Sequence, residues 1–165
     1  MTSQKPTILQ KIYTREGLEA AARQWRAAGR SIVFANGCFD GLHGGHVSYI
    51  QDSATQGDVL VVGVNDDASV RGLKGEGRPL LPLSDRMELL AALECTDAIV
   101  PFPEPTCAEL LRLLRPDVHS KGTDYSAETV PERDVALELG IRIFIAGPPK
   151  ENATRRIVER LREGA

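Results

Sequence analysis

Val33-Phe34-Ala35-Asn36-Gly37-Cys38-Phe39-Asp40-Gly41-Leu42-His43-Gly44-Gly45-His46 runs from a buried-strand pattern through glycines into a helix start, and carries two histidines three residues apart. An apolar β run that breaks into glycine and then opens a helix aims backbone N–H groups and the positive end of the helix dipole at one point. That makes an anion site. Imidazoles placed there add hydrogen bonds and charge to a reacting phosphate. The spacing lets His43, from the turn, and His46, from the first helical turn, face the same ligand. A plain strand-to-helix turn accounts for the glycines but not for the histidines and Asp40 gathered within residues 40–46.

Outward from this segment, apolar runs alternate with amphipathic ones in the order of a parallel sheet covered on both faces. Strands are expected at Ser31–Asn36, Asp58–Val64, Ala98–Phe102, Asp117–Lys121 and Ile141–Ala146. Helices are expected at Thr14–Ala28, Gly45–Gln56, Ser84–Glu94, Thr106–Leu114, Pro131–Leu139 and Thr154–Arg162. Thr106 and Glu109 read as a TxxE capping box, Pro116 follows the end of that helix, and Gly29 and Gly140 stand where helix C-caps are expected. The interval from Gly72 to Pro82, rich in glycine and proline, reads as a mobile loop within one domain. The fold class is therefore α/β, a Rossmann-like doubly wound parallel sheet of about five strands. We read residues 1–165 as one domain, with a core over about 31–160 and an N-terminal helical extension over 1–30.

In such a sheet, ligands bind beyond the carboxyl ends of the strands, where the strand order reverses. Asn36 to His46 follow the first strand, Asn65 to Lys74 the second, and Lys121 to Tyr125 the fourth, so distant segments converge on one crevice. His119 lies inside a short strand and reads as a packed or surface histidine.

Composition narrows the partners. A formal net charge of −3 gives no basic field for nucleic acid, so anionic ligands need a local site. No apolar run approaches a membrane span, and Met1-Thr2-Ser3-Gln4-Lys5-Pro6 lacks the apolar core of a secretory signal. A cytoplasmic location is the resulting expectation. Cys38, Cys95 and Cys107 are odd in number and far apart, which fits neither a disulfide framework nor a CxxC zinc site. Cys95 and Cys107 read as small helix residues, and Cys38 has no base nearby in sequence to make it a nucleophile. Zinc chelation by His43 and His46 lacks a third ligand close in sequence.

Gly37-Cys38-Phe39-Asp40-Gly41-Leu42-His43-Gly44-Gly45-His46 resembles the GxFDxxHxGH signature of the cytidylyltransferase-like nucleotidyltransferases. The likeness extends through Val64-Asn65-Asp66-Asp67-Ala68-Ser69-Val70-Arg71-Gly72-Leu73-Lys74-Gly75, Arg78-Pro79, Asp85-Arg86, Ala91-Ala92-Leu93-Glu94-Cys95 and Lys121-Gly122-Thr123-Asp124-Tyr125. These pieces are similar to the adenylyltransferase domain of bacterial ADP-heptose synthase. The HxGH element alone specifies the superfamily; the combined order points to the heptose 1-phosphate adenylyltransferase branch.

The resemblance implies transfer of AMP from ATP to a heptose 1-phosphate, giving ADP-heptose and pyrophosphate, with Mg2+ carried in with ATP. It implies catalytic roles for His43, His46 and Lys74. It places Asn36, Gly37, Cys38, Phe39, Asp40, Gly45, Asn65, Arg71, Lys121, Gly122, Asp124 and Thr154 in nucleotide or substrate binding. The attacking phosphate oxygen is already ionised at neutral pH, so the histidines act as donors to phosphate rather than as bases. Arg78 and Arg86 resemble family arginines, and Arg86 also reads as an anchor for its helix. Asp40 reads as orienting a histidine or holding the turn. The sequence specifies no protein ligands for the metal.

Relatives commonly open their last helix with Ser-Thr-Thr, where this chain has Ala153-Thr154-Arg155, so only Thr154 keeps a hydroxyl. Relatives are also often fused behind a sugar kinase, and no kinase-sized region is present in these 165 residues. A stand-alone adenylyltransferase served by a separate sugar kinase is the expected arrangement, and homo-oligomerisation is common in the family. A CTP-dependent cytidylyltransferase acting on glycerol 3-phosphate is the nearest rival. A nucleotide-binding regulator with impaired chemistry is the rival of another class.

Overall fold

A computed structural model describes residues 7–148. The expected helix Thr154–Arg162, with Thr154 itself, lies outside the described residues. Five parallel strands form one sheet in the order β3-β2-β1-β4-β5. They are β1 (Ile32–Gly37), β2 (Val59–Asn65), β3 (Ala98–Phe102), β4 (Val118–Gly122) and β5 (Arg142–Ala146). The chain order runs outward from β1 to β3, then returns to β4 on the other side of β1, so the β1–β4 seam is where the winding reverses. Ala35 pairs with Ser120 there, which sets Asn36 beside Lys121 at the carboxyl ends.

Six helices cover the sheet: α1 (Arg15–Ala27), α2 (Gly44–Ala54), α3 (Asp67–Lys74), α4 (Leu83–Ala91), α5 (Ala108–Leu114) and α6 (Arg133–Leu139). Alternate strand residues point to opposite faces. Ile32, Phe34, Val59, Val61 and Val100 join Leu18 of α1, Leu110 and Leu111 of α5 and Ala136 of α6 in one core. Val33, Ala35, Leu60, Val62 and Ile99 join Tyr49 and Ile50 of α2 and Leu90 of α4 in the other. Every residue of β2 is buried, the mark of a central parallel strand. Gly63 of β2 makes room for a large neighbour, since a Cβ there would come within 2.7 Å of the Phe34 ring.

Expected boundaries hold where a cap enforces them. Thr14 accepts from the Gly17 N–H at the start of α1. Gly29 and Gly140 adopt the left-handed φ values of 72° and 70° expected after their helices. Two expectations fail. The Thr106 capping box does not form: Cys107 takes the N-cap position of α5, and its N–H donates to Glu132 Oε1 at 3.1 Å.

The second correction concerns residues 67–74, where no helix was expected and where the loop expected from Gly72 overlaps the last turn, but which form α3. Asp66 caps it by accepting the Ser69 N–H at 2.7 Å, and Val70 is its buried anchor. Gly72 lies inside the helix, and a single glycine does not break an otherwise capped turn. The segment that follows is held in place. Asp40 accepts from Arg78 Nη1 at 2.6 Å and from the Leu80 N–H at 2.6 Å. Among the described residues, no helix is long and apolar enough to cross a membrane.

Candidate active site

A cleft of about 1010 Å³ opens at the carboxyl ends of β1, β2, β4 and β5. It is at the upper end of the range for small-molecule sites. His43 is the N-cap of α2, and its Nδ1 accepts the Gly45 N–H at 3.1 Å. With Nδ1 so engaged, neutral His43 carries its proton on Nε2, leaving an N–H donor for the cleft. His46 stacks against it with ring centroids 3.9 Å apart and planes inclined by 28°. The edge of Phe39 backs His46 at 5.4 Å. Phe39 itself adopts a φ of 49°, a conformation that the surrounding turn must hold for a residue with a Cβ. The close-packed His43 ring explains the glycine at 45, because a Cβ there would meet its Cε1 at 3.0 Å.

Lys121 brings a cation to the cleft from β4. Its Nζ donates to Asn36 Oδ1 at 3.1 Å, pairs with Glu132 Oε2 at 3.2 Å and lies 5.2 Å from the centre of the Tyr125 ring. Burial raises the Glu132 carboxyl, but Lys121, His119 and the Cys107 N–H together outweigh it and hold the group below the usual carboxylate range. Lys74 reaches the same cleft from the last turn of α3. The cleft lining joins the N-terminus of α2, two imidazoles and the Lys74 and Lys121 ammonium groups with the carboxylates of Asp124 and Glu132.

Of the residues singled out in the sequence, Asn36, Gly37, Cys38, Phe39, His43, Gly45, His46, Asn65, Lys74, Lys121, Gly122 and Asp124 all line this cleft. Two do not. Arg71 is exposed, on the turn of α3 before Lys74, outside the cleft lining. Asp40 is fully buried behind the turn. Desolvation raises its carboxyl, and the bonds from Arg78, Leu80 and Leu81 more than reverse this, leaving it below its ordinary value. Arg78 is thereby committed to Asp40. Arg86, 1 % exposed, donates to the carbonyls of Leu81, Cys38 and Asn65 and to Asp67 Oδ1 at 2.7 Å. It fastens the β1 turn to the β2 end and so fixes the cleft from behind.

Burial pushes the Cys38 thiol up despite the nearby Lys74 and Arg86 charges, which disfavours the thiolate. Tyr125, from the segment expected at the crevice, lines the cleft, as do Pro105, Thr106 and Glu132, which were not expected there. No local motif marks them: Thr106 reads as a cap, and Glu132 reaches the site through the packing of α6.

These features define a class, the doubly wound α/β proteins that hold an anionic ligand between a glycine turn and the strand-order reversal. Residues 34–152 match the cytidylyltransferase-like family, so the chain belongs to that family and is a nucleotidyltransferase. It is 45% identical over 148 residues to a bifunctional protein HldE of Wolinella succinogenes, covering 90% of this chain and 31% of that protein. A bifunctional protein HldE of Pelobacter propionicus is 46% identical over 154 residues, covering 91% of this chain and 32% of that one. The chain thus spans about a third of the length of these curated relatives. Among solved structures, a lipopolysaccharide core biosynthesis protein from Thermoplasma volcanium superposes with a TM-score of 0.59 at 30% identity, covering 71% of this chain and 94% of that one.

Proposed function

We propose that this protein transfers AMP from ATP to a heptose 1-phosphate, yielding ADP-heptose and pyrophosphate. The observation that carries this reading is the convergence of His43, His46, Lys74 and Lys121 on the cleft at the α2 N-terminus. Similarity to proteins called bifunctional HldE and to a lipopolysaccharide core biosynthesis protein supports a sugar phosphate as the acceptor.

In this reaction a phosphate oxygen of the sugar 1-phosphate attacks the α-phosphorus of ATP. The bond from that phosphorus to the bridging oxygen breaks, and pyrophosphate leaves with the electron pair. The nucleophile is already anionic, so the protein's task is alignment and stabilisation of charge that builds at the α-phosphate and on the leaving group. His43 offers its Nε2–H, His46 acts from the first turn of α2, and the α2 backbone N–H groups add fixed dipoles. Lys74 and Lys121 bring positive charge from opposite sides of the glycine turn.

Asp124 gives the cleft a carboxylate, a hard oxygen donor of the kind Mg2+ prefers. Asp124 would hold the Mg2+ brought with the triphosphate, and the ion would supply neutralisation of phosphate charge. Nucleotide choice is tested by competition between ATP and CTP for one heptose 1-phosphate, with the nucleotide sugars resolved by mass. ADP-heptose as the dominant product supports the reading; CDP-sugar as the dominant product overturns it.

A further inference from the structure

On the α5–α6 side of the sheet, beside the cleft, Cys107, His119 and Glu132 come together from three elements that are distant in sequence. Each is at most 3 % exposed, and one donor atom from each lies within 4.8 Å of the other two. Cys107 Sγ and His119 Nε2 are 3.6 Å apart. Glu132 accepts the Cys107 N–H on Oε1 and pairs through Oε2 with the Lys121 ammonium at 3.2 Å, while His119 Nδ1 has no hydrogen-bond partner.

Packing alone gives no reason for a thiol, an imidazole and a carboxylate to meet in a layer otherwise made of Phe34, Leu110 and Leu111, since burying polar groups with incomplete hydrogen bonding costs free energy. Metal coordination gives one. A sulfur at about 2.3 Å and a nitrogen at about 2.0–2.1 Å from a tetrahedral zinc ion stand roughly 3.6 Å apart. His119 turns Nε2 toward Cys107 Sγ, which places a ring nitrogen and the sulfur on one point. The Lys121 ammonium shows that Glu132 Oε2 already stabilises a cation, and Glu132 lines the cleft, which supplies an entry path.

We propose that Cys107, His119 and Glu132 form a binding site for a zinc-class divalent ion. A thiol with an imidazole selects borderline-soft metals over Mg2+ or Ca2+, which take oxygen ligands. On binding, the Cys107 thiol gives its proton to solvent and coordinates as thiolate, while His119 and Glu132 bind in the forms they already hold. Asn36 Oδ1, 3.2 Å from His119 Nε2, offers a further oxygen. The site is separate from the His43–His46 pair and from the Mg2+ that accompanies ATP, and its test does not depend on the nucleotidyl-transfer reading.

The experiment is titration of chelator-stripped wild-type protein with Zn2+ against a chromophoric chelator, with proton release followed by a pH indicator in weak buffer. The expected result is one Zn2+ per chain with release of about one proton. Co2+ in place of Zn2+ should give a thiolate charge-transfer band. Cys107→Ser and His119→Leu, checked for folding by circular dichroism, should each weaken Zn2+ binding by about tenfold or more, and Cys107→Ser should remove the band. His46→Ala should leave stoichiometric binding intact. Failure of the wild-type protein to bind Zn2+ stoichiometrically overturns the proposal whether or not the variants fold. Loss of binding in His46→Ala but not in a folded Cys107→Ser also overturns it, by moving the ion to the histidine pair.

Discussion

At the scale of single residues, the account turns on donors held rigidly at one point. His43→Ala and His46→Ala should each lower kcat at least about tenfold, equal to about 1.4 kcal/mol of transition-state stabilisation, while both variants stay folded and His43→Ala loses about 1 kcal/mol of stability with its α2 cap. Steady-state kinetics and thermal melts check this together. Gly45→Ala should also lower kcat, because its Cβ would press on the His43 ring at 3.0 Å and disturb the bond that fixes the ring's orientation. Asp40 belongs to stability rather than chemistry. Its folded carboxyl titrates below its unfolded value, so the stability it contributes is complete above the unfolded value and is lost as pH falls through the folded one. Asp40→Asn should cost on the order of 2 kcal/mol at pH 7, the scale of a charged hydrogen bond. The gap from wild type should narrow below about pH 4, as read by urea unfolding at both pH values. The two histidines were legible because motif and local geometry coincide. The partnership of Asp40 with Arg78 was not, because it closes across 38 positions through a loop with no periodic pattern.

At the scale of elements, α3 shows what sequence patterning conceals. Its eight residues are amphipathic about one buried anchor, Val70, but the segment is short and holds a glycine beside a glycine-rich loop, so the helix does not stand out in the sequence. The Asp66 cap does much of the specifying, and Asp66→Ala should cost about 1 kcal/mol of stability. It should also raise KM for ATP with a smaller effect on kcat, because Lys74 rides on the last turn of α3. An unchanged KM would separate Lys74 from nucleotide binding. The start of α5 teaches the complementary lesson. Thr106 and Glu109 fit the local capping pattern, yet the helix starts at Ala108 with Cys107 as N-cap, whose N–H donates to Glu132, the N-cap residue of α6. Strand positions were easier to read, since β1 and β2 are continuous apolar runs bounded by turn residues.

At the scale of the whole molecule, alternation of strands and helices was enough to expect a doubly wound parallel sheet, and the β3-β2-β1-β4-β5 order places the reversal between β1 and β4. That order brings Asn36, Asn65 and Lys121, which lie on different strands, to one cleft. Glu132 and Thr106 remained hidden because they reach it through tertiary packing alone. The sheet also sets a steric demand: Gly63→Val should destabilise the fold by roughly 1–3 kcal/mol through overpacking against Phe34, measured by chemical unfolding. Chemistry at the cleft is tested most directly by Mg2+-dependent pyrophosphate release from ATP and CTP, each offered with heptose 1-phosphate anomers, simpler hexose 1-phosphates and glycerol 3-phosphate. The account predicts release with ATP and a heptose 1-phosphate; release only with CTP and glycerol 3-phosphate, or none with any pair, would contradict it.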